Sequence, residues 1–303
     1  MSKYHVKVLM ATHNGMPWLV DQIKTVLSQA NVDVQLYVSD DASSDGTFEF
    51  LEKMSKQEPR IFLLPPKKIG SAGRNFYRLI EEVSLDDCEY VAFSDQDDIW
   101  ESNKLIRHIK LAEQHQADGV SSNVLAFWAD GSQKLLVKSQ PQKKWDFLFE
   151  SAGPACSYLM TPWLVNKVRQ QLNDERSPAS QVALHDWLTY AICIANGHVW
   201  VIDSIPSLKY RQHRSNVVGA NVGLKAKWSR LQKLRQGWYR NEVVKIAQIC
   251  MEIAPSNKVN KLVNLLKSQN YFVKLKLLTY VSTARRSLLD RCLLAISILV
   301  GVF

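Results

Sequence analysis

Tyr90-Val91-Ala92-Phe93-Ser94-Asp95-Gln96-Asp97-Asp98-Ile99-Trp100 joins a short apolar run to a cluster of acids. Tyr90 to Ser94 has the length and composition of a buried strand, and three carboxylates follow at its end. Concentrating that much negative charge is costly unless a cation is shared. Magnesium and manganese take oxygen ligands and bridge carboxylates to substrate phosphates. Side chains alternate along an extended chain, so Asp95 and Asp97 reach the same face. The same acids also suit a solvated turn that caps a helix starting near Glu101.

Working outward, the preceding residues alternate apolar runs with helical spacing. Strands are expected at Val6 to Ala11, Val34 to Ser39 and Ile61 to Leu64, with helices at Trp18 to Leu27, Gly46 to Met54 and Gly73 to Val83. This order predicts an α/β fold with a mostly parallel, doubly wound sheet. Ligands of such sheets bind at the carboxyl ends of the strands, where the polar clusters lie. Ala11-Thr12-His13-Asn14-Gly15 ends the first strand, and its turn, Asn14 included, would border a nucleotide. Ser39-Asp40-Asp41-Ala42-Ser43-Ser44-Asp45-Gly46-Thr47 ends the second. Its carboxylates can accept hydrogen bonds from a base imide or a ribose, and Asp45 can also cap the helix near Gly46. Gly70-Ser71-Ala72-Gly73-Arg74-Asn75 opens onto a helix whose free amides, with Arg74, suit an anion.

Further along, strands are expected at Val120 to Phe127 and His198 to Ile202. Helices are expected at Pro162 to Leu172 and Asp186 to Ala195, with a loop over Asn173 to Ser180. Beyond Lys225 the pattern turns helical and basic, with an apolar stripe of Leu262, Leu265, Leu266, Val273, Leu277 and Leu278. Of the net charge of +9, Lys225 to Arg291 contributes 15 basic against 3 acidic residues, leaving 23 against 26 elsewhere. That segment suits an anionic membrane face or a solvated helical surface. It carries no nucleic-acid recognition motif, and no nucleic-acid partner is expected. The five cysteines are scattered, which points away from a disulfide framework or a zinc site. No signal-peptide pattern opens the chain and no apolar run is long enough to span a bilayer. The expected place is the cytoplasm, peripheral on the inner face of the cell membrane.

In this order, the segments at Ala11–Gly15, Ser39–Thr47, Asp95–Trp100 and His185-Asp186-Trp187 resemble the family 2 glycosyltransferases of the GT-A fold. The likeness covers about residues 4 to 215. His185-Asp186-Trp187, with Tyr210-Arg211-Gln212-His213 and Asn216-Val217-Val218-Gly219, is similar to the bacterial rhamnosyltransferase-like branch. Relatives usually carry a less constrained turn where this chain has Gly153-Pro154-Ala155-Cys156. The resemblance implies a GT-A domain over residues 1–220, with a nucleotide-binding half (1–100) and an acceptor-side half (101–220). A basic helical region follows over 221–303.

The resemblance also implies that Asp41 contacts the base and Thr12 lines the nucleotide pocket, with Asn14, Arg74 and Gln96 in the donor set. Asp97 would be the principal ligand of Mg2+ or Mn2+, helped by Asp95 and by His213, which is equally suited to a structural role. Asp186 would be the catalytic base of an inverting displacement, or the N-cap of the helix that follows it. The implied donor is dTDP-rhamnose, and the acceptor a saccharide, lipid-linked, in bacterial O-antigen or capsule synthesis. The alternatives are a UDP-hexose or UDP-N-acetylhexosamine donor, or a non-catalytic membrane-docked assembly partner. A homodimer through the final apolar residues is a further expectation.

Overall fold

The computed structural model describes residues 4–213 and 237–303. A seven-stranded sheet forms the centre, in the order β10-β6-β9-β4-β1-β2-β3. Its strands are β1 (Tyr4–Thr12), β2 (Val32–Asp40), β3 (Ile61–Leu63), β4 (Tyr90–Ser94), β6 (Gly119–Ser122), β9 (Leu159–Met160) and β10 (Trp200–Asp203). β1, β2, β3 and β4 pair in parallel, as do β6 and β10, and β9 alone runs antiparallel to its neighbours. The expected mostly parallel α/β sheet is present.

The helices α1 (Met16–Leu27), α2 (Thr47–Gln57), α3 (Ala72–Glu82) and α4 (Lys104–His115) connect these strands, and α5 (Asp146–Phe149), α6 (Pro162–Asn173) and α7 (His185–Ala195) follow. Alternation along β1 explains the layering. Val6, Val8 and Met10 enter a core with Leu19, Ile23, Leu105 and Ile109 of α1 and α4. Leu9 and Ala11 face the opposite core, with Phe76 and Leu79 of α3 and Leu164 and Leu188 of α6 and α7. Gly119 is required where β6 meets β10, because a Cβ there would lie 2.1 Å from Trp200 Cε3.

Two expectations need correction. Val120 to Phe127 is not one strand: it breaks at Asn123 into β6 and β7 (Val124–Phe127), which belong to different sheets. The Asn123 side chain takes over the pairing, accepting from the Lys138 and Ser139 amides (2.6 and 3.0 Å) and donating to Ser204 O (2.8 Å). The helix expected near Glu101 starts three residues later. Ile99 and Trp100 form β5, antiparallel to β11 (Leu208–Arg211), and α4 begins at Lys104 after Asn103. With β7 and β8 (Gln133–Leu136) these strands make a four-stranded second sheet.

The described part of the basic region is helical, at Trp238–Ile253, Asn257–Lys267 and Leu288–Leu299, with short helical segments at Tyr271–Lys274, Leu275–Tyr280 and Val281–Ala284 before the last. Its apolar stripe turns inward. Leu262, Leu265, Leu266 and Leu277 are buried in the same core as α3, α6 and α7, with Val273 and Leu278 packed against them. Those leucines therefore do not form a membrane-facing stripe. Lys225 and Asn216-Val217-Val218-Gly219 lie outside the described residues.

The seam between this helical region and the rest of the fold is ionic as well as apolar. Arg286, buried, donates its amide to Glu150 Oε1 (2.6 Å) and its guanidinium to Ser151 O, and pairs with Asp146 (3.5 Å). Arg285 donates to Phe149 O (2.9 Å).

Candidate active site

The carboxyl ends of β1, β2 and β4 converge, as the parallel sheet requires. Thr12 Oγ1 donates to Asp40 Oδ1 (2.7 Å), and the Asp41 amide donates to Thr12 O (2.9 Å). Asn14 stands at φ +50, in the left-handed region that asparagine tolerates. Its amide donates to Ser43 Oγ and its Oδ1 accepts from the Ser44 amide, both at 2.8 Å. Asp45 does not cap α2 through the expected position, which Gly46 occupies in the left-handed region. It ties two helix starts together instead, accepting from Thr47 N (3.1 Å) and Met16 N (3.1 Å). Thr12 and Asn14 thus fix the rim through their own bonds.

Asp41, buried, accepts from Ile69 N (2.5 Å) and Gly70 N (2.8 and 2.9 Å). These bonds hold the loop before α3 against β2. A carboxylate has about four acceptor positions, so Asp41 can bind the loop and still meet a base. Ser71 caps α3, and Arg74 stands exposed in its first turn. Gln96 is fully engaged: its Oε1 accepts from His13 N (2.8 Å) and its Nε2 donates to His13 O (2.9 Å). It straps the first loop to the acidic turn. A Cβ on Gly15 would lie 2.4 Å from that Oε1.

The three acids separate by environment. Asp97 Oδ2 lies 2.6 Å from His213 Nε2, and the His213 ring stacks on Trp18 with centroids 3.8 Å apart. Asp98 is fully buried and accepts from the Arg211 amide (3.1 Å), so it caps no helix. Arg211 Nε also donates to Asp97 O (2.8 Å), fixing the acidic turn from β11. Asp95, Asp98 and Cys156 bring ligand atoms within 4.8 Å of one another. Burial pushes Asp95 up to about 7, with the charges of Asp97 and Asp186 adding to the shift. Burial first, then Asp97 and Asp95, raise Asp98 well above the carboxylate range. Burial likewise raises the Cys156 thiol, so it stays protonated and is no ligand for a hard ion.

Asp186 lies in the first turn of α7 and is not its cap, a position held by Leu184. Its Oδ1 accepts from Trp187 N (2.7 Å). Burial pushes it up to about 6, opposed by the Trp187 amide, the Ser151 hydroxyl and the Lys138 charge. Asp186 is near enough to Asp95 for its charge to raise that acid. His185 points the other way. It is buried and stacked on Phe76 (4.0 Å), and desolvation lowers it to about 3, a neutral core histidine.

Sequence reasoning singled out neither Trp18 behind His213 nor Cys156 between two acids. Ser151 and Lys138 beside Asp186 also went unnoticed. Only the Gly153-Pro154-Ala155-Cys156 departure signalled anything there. Asp97 and His213 lie in contact, and the charge of Asp97 reaches Asp95; two carboxylates and an imidazole are donor types that a hard divalent ion accepts.

The glycosyl transferase family 2 pattern matches residues 7–155. The chain is 36% identical to a dTDP-rhamnosyl transferase, RfbG of Shigella flexneri, over 97% of this chain and all of that one. It is 34% identical to WfgD of Escherichia coli, a UDP-Glc:alpha-D-GlcNAc-diphosphoundecaprenol beta-1,3-glucosyltransferase, over 37% of this chain and 42% of that one. Among solved structures it resembles a Pyrobaculum calidifontis mannosyltransferase in complex with GDP-Man and Mn2+. The TM-score is 0.55 at 14% identity, covering 100% of this chain and 81% of that one. At that identity the likeness is one of fold, and the fold is GT-A.

Proposed function

The chain belongs to glycosyl transferase family 2, and on that premise we propose that it moves rhamnose from dTDP-rhamnose to a lipid-linked saccharide. The product would be bacterial surface polysaccharide, O-antigen or capsule, built at the inner face of the cell membrane. The near full-length likeness to a dTDP-rhamnosyl transferase supports the donor. The likeness to a diphosphoundecaprenol-linked sugar transferase supports the acceptor class.

What supports the mechanism is that Asp186, in the first turn of α7, lies close enough to Asp95, just past the end of β4, for its charge to raise that acid. Asp41 and Thr12 hold the base and nucleoside, Asn14 shapes the rim, and Gln96 positions the turn that bears Asp95 and Asp97. Arg74, exposed at the start of α3, meets the diphosphate. Asp97, with Asp95 and His213, would hold Mg2+ or Mn2+, which when bound offsets charge on the leaving diphosphate.

Asp186 takes the proton of the acceptor hydroxyl as that oxygen attacks the anomeric carbon. The bond to the diphosphate breaks on the opposite face, inverting the configuration. A carboxylate raised to about 6 holds a proton better than an ordinary one and is still ionised at neutral pH, which suits a general base. The Trp187 amide fixes its Oδ1, and Lys138 and Ser151 keep it from rising further.

A panel of nucleotide sugars tests the reading by calorimetry, with and without a chelator. The tightest binding is expected for dTDP-rhamnose, and only with metal present. Tighter binding of a UDP-hexose would overturn the donor, and binding unchanged by the chelator would overturn the role of Asp97.

A further inference from the structure

We propose that the Leu288–Leu299 helix, with Phe272 beside its end, is a membrane-docking face that lies flat in the surface of an anionic bilayer. The helix packs by one edge only, through buried Leu294 and Ile298. Its exposed positions are Leu288, Leu289, Cys292, Leu293, Ile296 and Leu299, continued by Val300. At about 100° per residue these seven fall within an arc of roughly 140°, and none carries a charge. Leu288 is 70% exposed, Leu289 68% and Val300 63%. The pattern of a soluble surface helix is thus reversed, with the wide apolar arc outward and a narrow apolar edge inward.

Phe272, 76% exposed, extends the same region. Its neighbour Tyr271 donates to Leu299 O (2.6 Å), which fastens that turn to the end of the helix. A contiguous exposed apolar patch of this kind marks an interaction surface.

Charge selects the occupant. Residues 237–303 carry ten Lys and Arg against three acidic residues. Lys274 ends the short helix that bears Phe272, Lys276 follows in the next segment, and Arg291 lies on the Leu288–Leu299 helix itself. Anionic headgroups attract such a rim. A second copy of this chain would bring the same positive charge against it. No helix among the described residues is long and apolar enough to cross a membrane. Twelve residues span about 18 Å against a hydrocarbon core of roughly 30 Å, so this one lies on the surface. The inference deepens the reading of a lipid-linked acceptor, since docking would hold the site at the surface that presents it.

Flotation of the whole chain with phosphatidylcholine vesicles, with and without phosphatidylglycerol, tests the face. Binding is expected to the anionic vesicles and to weaken as salt rises. Replacing Leu289, Leu293 and Ile296 together by Ser should cut the bound fraction on the order of tenfold or more. The melting temperature should shift little and calorimetric binding of dTDP-rhamnose should stay unchanged, because these side chains are more than half exposed. Lys274→Gln with Lys276→Gln should weaken anionic binding alone.

No flotation of the unaltered chain at low salt would overturn the proposal, as would undiminished binding by the triple variant. Dimers that dissociate in the triple variant, without flotation of either protein, would assign the face to a second copy. Flotation without dTDP-rhamnose binding would sink the donor reading and leave the docking face standing.

Discussion

Replacing Asp186 with Asn should make the protein more stable at pH 8 while removing its activity. Burial raises the Asp186 carboxyl from 3.8 to about 6 in the folded chain. At about 1.4 kcal/mol per pH unit, that shift is worth about 3 kcal/mol. A raised folded pKa gives stability that is fully present below the unfolded value and lost as pH climbs through the folded one. The wild-type protein therefore carries about 1.5 kcal/mol of this penalty at pH 5 and about 3 kcal/mol at pH 8. Asparagine carries none, and its Oδ1 can still accept from the Trp187 amide, now at 2.7 Å.

For a chain of this length the pH 8 difference corresponds to roughly 4–5 °C of melting temperature. Thermal unfolding of both proteins at pH 5 and pH 8, without donor and with a chelator, measures it. The gain of the variant should roughly double between the two pH values. An equal gain at both, or a less stable variant at pH 8, would show that Asp186 is not held where charge is disfavoured. Transfer by the variant should fall by about 10²–10⁴-fold. The wild-type kcat/KM should rise through a midpoint near pH 6 and then level, as the base ionises.

Asp97→Asn should weaken metal-dependent donor binding on titration calorimetry and leave metal-free binding of the nucleotide nearly unchanged. Arg286→Met removes the buried guanidinium that pairs with Asp146 and Glu150 and should cost about 3–5 kcal/mol in denaturant unfolding. It should also slow transfer, because Ser151 beside Asp186 loses the guanidinium that holds its carbonyl. Gly119→Ala drives a methyl into the Trp200 ring and should destabilise by about 1–3 kcal/mol, with the midpoint shifted at constant m-value.

The first hundred residues were legible because the central parallel strands β1 and β4 are buried on both faces and read as nearly continuous apolar runs. Val6 to Ala11 and Tyr90 to Phe93 announce themselves in this way, and the acids at their ends fall where a parallel sheet places ligands. The second sheet was not legible, nor was β9 of the first. β5 and β9 are two residues each, too short for any period, and the break at Asn123 depends on partners 15 to 81 positions away. The acids of the site stood in one motif, whereas what shapes them did not. Trp18, Cys156, Ser151 and Lys138 come from separate elements, and no local pattern unites them. Lysines between leucines beyond residue 257 suggested a membrane surface, yet Leu262 and Leu266 are core. The exposed arc belongs to Leu288–Leu299, where charge is nearly absent.

One displacement, with Asp186 drawing the acceptor proton on the face opposite the diphosphate, sets the stereochemistry of the product. The anomeric carbon–hydrogen coupling of the newly linked sugar, read by nuclear magnetic resonance against that of the donor, measures it. An inverted configuration is expected. A retained one would mean two displacements through an enzyme-bound sugar, and Asp186 would not be the base described here.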